Sequence, residues 1–230
     1  MPVHSRRRQR RAARAAALPT VLVVLACALP AAAGPVSGLV RIVARPGVVP
    51  AASVVYAEPI GAQAARQTGR FTLRQKNKAF LPRVLGIPAG SAVDFPNDDM
   101  IFHNVFSLSG PQPFDLGLYR SGEAPSRTFA QPGLYRVFCN IHPLMSALIV
   151  VAPTPHVAAA APDGRFVLDL PPGRYRLTAV SERASPVSVE VVSEAGATVA
   201  PPISLDESRW ALLPHKNKFG KDYSASAYKQ

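Results

Sequence analysis

The sequence is short of cysteine, of charge and of long apolar runs. Two cysteines, Cys27 and Cys139, occur in 230 residues, so no disulfide framework holds the chain together. Charged residues make up 17% of it. Beyond residue 35 no stretch carries the apolar repeat of a strong amphipathic helix, which argues against a helical bundle. No apolar run reaches the roughly 20 residues of a membrane-spanning helix, so no transmembrane span is expected. Acidic residues are also few, 14 against 26 basic ones, for a net charge of +12. The basic side chains, among them Arg41, Arg45, Arg66, Arg70 and Lys76, are scattered without interleaved aromatics, and no nucleic-acid partner is expected.

Proline is plentiful: 24 residues, many of them between short Val/Ile/Leu runs, the pattern of an all-β protein with many turns. The first 33 residues stand apart. Arg6, Arg7, Arg8, Arg10, Arg11 and Arg14 form a basic start, residues 18–28 are apolar, and Ala31-Ala32-Ala33 offers a small-residue cleavage site before Gly34. A signal peptide over 1–33 is the expectation, with an extracytoplasmic, periplasmic destination. Its removal takes six arginines from the +12 and leaves +6. Val24-Leu25-Ala26-Cys27 loosely matches a lipoprotein motif, which makes Cys27 a candidate lipid anchor.

Strand-like runs follow at 38–43, 52–56, 70–74, 83–87, 92–95, 102–107, 127–130, 134–138 and 147–151, with loops at 57–67 and 109–125. So many short strands over about 115 residues predict a β-sandwich. Pro153-Thr154-Pro155 breaks the chain. Beyond it Phe166, Leu168 and Leu170, then Tyr175, Leu177 and Ala179, then Val187, Val189 and Val191 alternate with polar residues around Asp163-Gly164 and Pro171-Pro172-Gly173 turns. These predict a second, smaller β-module. The expected division is 1–33, 34–152, 153–205 and a weakly ordered polar tail, 206–230.

Without the leader, Cys139 is the sole cysteine, and an unpaired thiol in an oxidising compartment needs a metal, a catalytic role or burial. Its neighbours favour a metal. Cys139-Asn-Ile-His142-Pro-Leu-Met145 lies between two strand patterns, and Pro143 opposes a helix through it. One short loop therefore presents a thiol, an imidazole and a thioether, and His103 is the strong candidate for a fourth ligand. Two imidazoles, a thiolate and a weak axial Met match a blue-copper site better than a zinc site. His156 and His215 read as surface residues without a role. Asp98 and Asp99 read as turn residues ahead of the His103 strand and not as an acid/base pair.

Residues 36–151 resemble the cupredoxins, the plastocyanin and amicyanin family. The Cys-x-x-His-x-x-Met spacing with Pro after the His is closest to amicyanins. Ile87-Pro-Ala-Gly-Ser-Ala-Val-Asp-Phe-Pro-Asn97, His103-Asn104-Val105 and Pro132-Gly133-Leu134-Tyr135 complete the match. The resemblance implies a Greek-key sandwich holding one copper per chain, cycling Cu(I)/Cu(II), on His103, Cys139, His142 and Met145. It further implies that Asn104 ties the two ligand loops together and that Asn140 supports the site. Pro143 and Leu144 would frame an exposed His142 where a transient redox partner docks, such as an amine dehydrogenase or a cytochrome. The long segment 56–78 departs from the pattern. The second module, with Asp163-Gly-Arg-Phe166 and Leu170-Pro-Pro-Gly-Arg-Tyr175, resembles the carboxypeptidase regulatory-like (transthyretin-like) β-sandwich, a structural accessory.

Three functions fit these residues: a one-electron carrier, a copper-binding protein for storage, delivery or sensing, and an enzyme using Cys139 as nucleophile. They rank in that order, the carrier, which is not an enzyme, first; the enzyme ranks last because Cys139 ends a strand beside a Met and not at a helix N-terminus.

Overall fold

Alternating and continuous apolar runs both become strands in the computed structural model, which describes Met1, residues 34–211 and residues 215–224. The expected leader beyond Met1, with Cys27, lies outside the described residues. The chain is all-β, and no helix occurs among the described residues. Two strands come first, β1 (Gly34–Val43) and β2 (Ser53–Pro59). Ten follow before the Pro153-Thr154-Pro155 break: β3 (Arg70–Thr72), β4 (Arg74–Lys76), β5 (Ala79–Leu81), β6 (Val84–Pro88), β7 (Ser91–Asp94), β8 (His103–Ser107), β9 (Phe114–Tyr119), β10 (Ser126–Phe129), β11 (Gly133–Phe138) and β12 (Ser146–Ala152). The remainder are β13 (Val157–Ala159), β14 (Arg165–Leu170), β15 (Gly173–Ser181), β16 (Val187–Ser193), β17 (Thr198–Val199) and β18 (Ile203–Asp206).

The first sandwich joins a five-stranded sheet, β6-β12-β11-β8-β9, to a smaller one, β10-β7-β3. Ile87, Val93, Val105, Phe129, Tyr135, Val137 and Ile149 fill the space between them, and Cys139 and Met145 belong to the same core. The Gly/Pro-rich stretch expected as a loop over 109–125 contains β9, paired to β8 through His103↔Tyr119 and Ser107↔Phe114. Most of its Gly and Pro residues flank β9, Gly117 lies within it, and Phe114 and Tyr119 belong to the core.

The second sandwich joins β13-β2-β15-β16 to β14-β1-β17, with β18 alongside β1. β14 shows the expected alternation: Phe166, Leu168 and Leu170 are buried and the residues between them exposed. Gly164 is required in the turn before it, with φ +85° and a Cβ position only 2.1 Å from the Val40 carbonyl oxygen. β1 and β2 had been assigned by position to the first module, yet β1 pairs with β14 and β18, and β2 with β15. Hydrogen bonding thus joins β1 and β2 to strands beyond the Pro153-Thr154-Pro155 break, and Val36, Val40, Val55 and Ala57 complete the second core.

The two sandwiches share a seam. Val54 and Val180 meet Val84, Leu148 and Val150 there. β12 therefore sends Ala147, Ile149 and Val151 into one core and Leu148 and Val150 into the seam, which explains a run with no polar alternation. Gly86 lies where the sheets come closest, and a Cβ on it would meet Val157 and Val54 at 2.8 and 3.2 Å.

The described residues of the polar tail make specific contacts. Buried Glu207 accepts hydrogen bonds from the Ala51 N–H and the Ser181 hydroxyl, and Trp210 lies under the Arg183 guanidinium at 4.4 Å. Residues 215–223 return to the far end of the first sandwich. Specific polar bonds and ring stacking hold them, and neither leaves a periodic signature.

Candidate metal centre

β11 and β12 form an antiparallel hairpin closed by the Phe138↔Ser146 pair, and residues 139–145 are its loop. The Met145 N–H donates to the His142 carbonyl at 2.9 Å, and the Cys139 N–H donates to the Met145 carbonyl at 3.2 Å. These bonds wind the loop so that its side chains converge. β8, the neighbour of β11, begins at His103. Cys139 Sγ then lies 3.7 Å from His103 Nδ1 and 3.7 Å from His142 Nδ1. The three donor atoms all fall within 4.8 Å of one another. His103 and Cys139 are fully buried, Met145 is buried beside them in the core, and His142 is partly exposed.

Burial pushes the Cys139 thiol up, but the His103 ring and the backbone N–H groups of Asn104, Ile141 and His142 outweigh it and hold the group below its usual value. These contacts ease formation of the thiolate, the form that binds metal. Burial lowers His103, yet Cys139 and Asp99 prevail and raise it. His142 is lowered by burial first, then by the charges of His103 and Lys78, against an opposing effect of Asp99. A thiolate and two imidazole nitrogens, with a thioether on the same loop, form a soft donor set that fits copper and not magnesium or calcium.

The sequence reading missed Asp99. Its Oδ2 lies 2.8 Å from His103 Nε2, so the imidazole is fixed with Nδ1 facing the thiol. Burial raises Asp99, but the N–H groups of Lys78 and Asn77 and the His103 ring bring it below the usual carboxylate range. Those two N–H groups come from the β4–β5 turn, where Asn77 and Lys78 have φ of 55° and 54°. A lysine rarely adopts that conformation, and two bonds to a carboxylate offset the cost. The segment 56–78, a departure from the family pattern, thus ends in the turn that holds Asp99. The four-residue spacing from Asp99 to His103 was the available signal.

The supporting residues also differ in detail from expectation. The Asn104 side chain donates to Asp115 Oδ1 and the Gly117 carbonyl, both at 2.7 Å, and the tie to the ligand loop is its backbone N–H on Cys139. The β8–β9 register shifts at this point, between Asn104 and Phe106. Asn140 accepts from the Lys218 N–H at 3.0 Å. Pro143, expected on the docking face, is buried, and its carbonyl lies 2.7 Å from His215 Nε2. Leu144 is exposed as expected, and so is Ile141. His215, read as a surface residue without a role, stacks on Phe138 with ring centroids 3.9 Å apart.

No family profile matches the chain. Over 68 residues, 28% of its length, it is 38% identical to amicyanin-alpha from Methylorubrum extorquens, and it spans 57% of that protein. This likeness supports a cupredoxin-like domain. Among solved structures, the copper-containing nitrite reductase of Thermus scotoductus is similar at 29% identity over 49% of this chain and 28% of the other, with a TM-score of 0.35. A purple cupredoxin of Nitrosopumilus maritimus is similar at 25% identity over 35% of this chain and 98% of the other, with a TM-score of 0.33.

Proposed function

We propose that the chain is an exported type 1 copper protein that carries single electrons between redox partners in the periplasm. One observation bears most of the weight: His103, Cys139 and His142 bring their donor atoms within 4.8 Å in a pocket that favours the thiolate. His103, Cys139, His142 and Met145 would hold one copper, which supplies exchange between Cu(I) and Cu(II). The buried His103 and Cys139 keep water from the donor atoms. Asp99 fixes one imidazole and the loop hydrogen bonds fix the rest, so the ligands stay in position when the charge changes. That is the requirement for fast electron exchange.

His142 provides the contact edge for a partner. Ile141 and Leu144, 44% and 47% exposed, frame it in place of the buried Pro143. A small, transient docking surface suits this edge, and an amine dehydrogenase or a cytochrome is the class of partner, by analogy with amicyanins. Full burial of Cys139 favours a ligand over a nucleophile. In this reading 1–33 is a cleaved leader and β3–β12 form the copper domain. The second sandwich, resembling the carboxypeptidase regulatory-like modules, is a structural accessory that also takes in β1 and β2.

Two measurements on the wild type test the carrier role: electron self-exchange by NMR and copper release to a competing chelator. Fast self-exchange with slow release is expected. Negligible self-exchange with rapid release would overturn the carrier in favour of copper delivery.

A further inference from the structure

Residues 215–223 touch the 139–145 loop directly and reach the His103 strand through Asp115. On the Cys139 side, the His215 ring stacks on Phe138 at 3.9 Å and its Nε2 bonds the Pro143 carbonyl at 2.7 Å. The Lys218 N–H donates to Asn140 Oδ1 at 3.0 Å, and the Tyr223 hydroxyl donates to the Cys139 carbonyl at 3.4 Å. On the His103 side, Lys218 Nζ pairs with Asp115 Oδ2 at 2.7 Å, and Asp115 Oδ1 accepts from Asn104, the residue after His103. The Lys218 side chain is only 23% exposed, so this pair is less screened than a surface ion pair. One nine-residue segment therefore bonds the neighbours of Cys139 and His142 directly and the neighbour of His103 through Asp115.

We infer that residues 215–223 are a strap that fixes the ligand geometry, with His215 and Lys218 as its positioning residues. The loop 139–145 has few backbone bonds of its own: Met145 to His142 and Cys139 to Met145. The carbonyls of Cys139 and Pro143 and the side chain of Asn140 look outward, and the strap supplies their partners. The strap also buries one flank of the loop, so a partner meets His142 from the Ile141 and Leu144 side. Whatever loosens the strap frees the loop to change shape and the metal to leave. The part of this inference that concerns copper rests on the copper reading; the part that concerns the loop does not.

The test uses the full chain with His215→Ala and Lys218→Met combined, beside His215→Phe, which keeps the stack on Phe138 and loses the bond to Pro143. Amide hydrogen exchange is followed first without metal. The double variant is expected to exchange the amides of 139–145 roughly tenfold faster, while those of β15 and β16 keep the wild-type rate. With Cu(II) bound, release to a chelator is expected to accelerate by roughly tenfold and the EPR copper hyperfine splitting to change, His215→Phe falling between. Global destabilisation alone would speed exchange in both sandwiches and leave the EPR signature unchanged. Unchanged loop exchange overturns the strap. Faster loop exchange with unchanged release and EPR overturns its part in the metal site. A wild type that takes up no copper would sink the copper reading, while the exchange comparison still decides whether the strap holds the loop.

Discussion

Both sandwiches are built from β-strands, but they are held in different ways. In the second, Phe166, Leu168, Leu170, Leu177 and Ile203 meet in one apolar core. At the candidate metal centre in the first, a few polar groups from distant parts of the chain gather around His103 and the 139–145 loop. Asp99 arrives from the segment before β8, Asn77 and Lys78 from the β4–β5 turn, Asp115 from β9, and His215 and Lys218 from beyond β18. A core that excludes water tolerates small adjustments, whereas a site that must hold three donor atoms together needs a bond on each support.

A substitution in the seam touches no polar tie and is expected to have the largest effect on stability. Leu148 is buried between the two sandwiches, and Leu148→Ala is expected to destabilise the chain by about 2–5 kcal/mol. Chemical denaturation of the metal-free protein measures it. Copper affinity of the folded fraction should be unchanged, since no donor or tie is touched.

Asp99→Asn probes the opposite end. It keeps the shape and removes the charge that fixes His103. Loss of roughly 10–100-fold in copper affinity is expected, with a higher reduction potential because the imidazole becomes a weaker donor to Cu(II). Competitive chelator titration and voltammetry read the two effects. Equal affinity in both forms would mean that Asp99 serves only the β4–β5 turn.

The smallest effect expected is on pH. Burial raises the Asp115 carboxyl, but Lys218, Asn104 and the Gly117 N–H more than offset it, and the folded value lies below the ordinary one. A group depressed in this way contributes stability that is complete above its unfolded value and is lost as pH falls through the folded value. Thermal melts of the metal-free chain below about pH 5 should therefore fall less steeply in Asp115→Asn than in the wild type.

The same contrast decides what the sequence disclosed. Strand runs, the Asp163-Gly164 turn and the Cys-x-x-His-x-x-Met loop are local patterns, and each was legible. The pairing of β1 with β14 and β18 was not, because alternation in Val36–Val40 says which face is buried but not against which strand. β9 was hidden by the Gly and Pro residues around it. Pro143 looked like a docking residue because its cover, His215, is 72 residues away along the chain. Asp99 and the strap act through single hydrogen bonds, and one polar side chain in a turn or a tail resembles any other until its partner is known.

In the proposed function His103, Cys139, His142 and Met145 form one type 1 copper site. The direct measurement is the visible and EPR spectrum of the Cu(II)-loaded full chain beside its Cys139→Ser variant. The wild type should be intensely blue from thiolate-to-copper charge transfer, with a narrow copper hyperfine splitting, and Cys139→Ser should lose both features. A colourless wild-type complex, or colour that survives in Cys139→Ser, would contradict it.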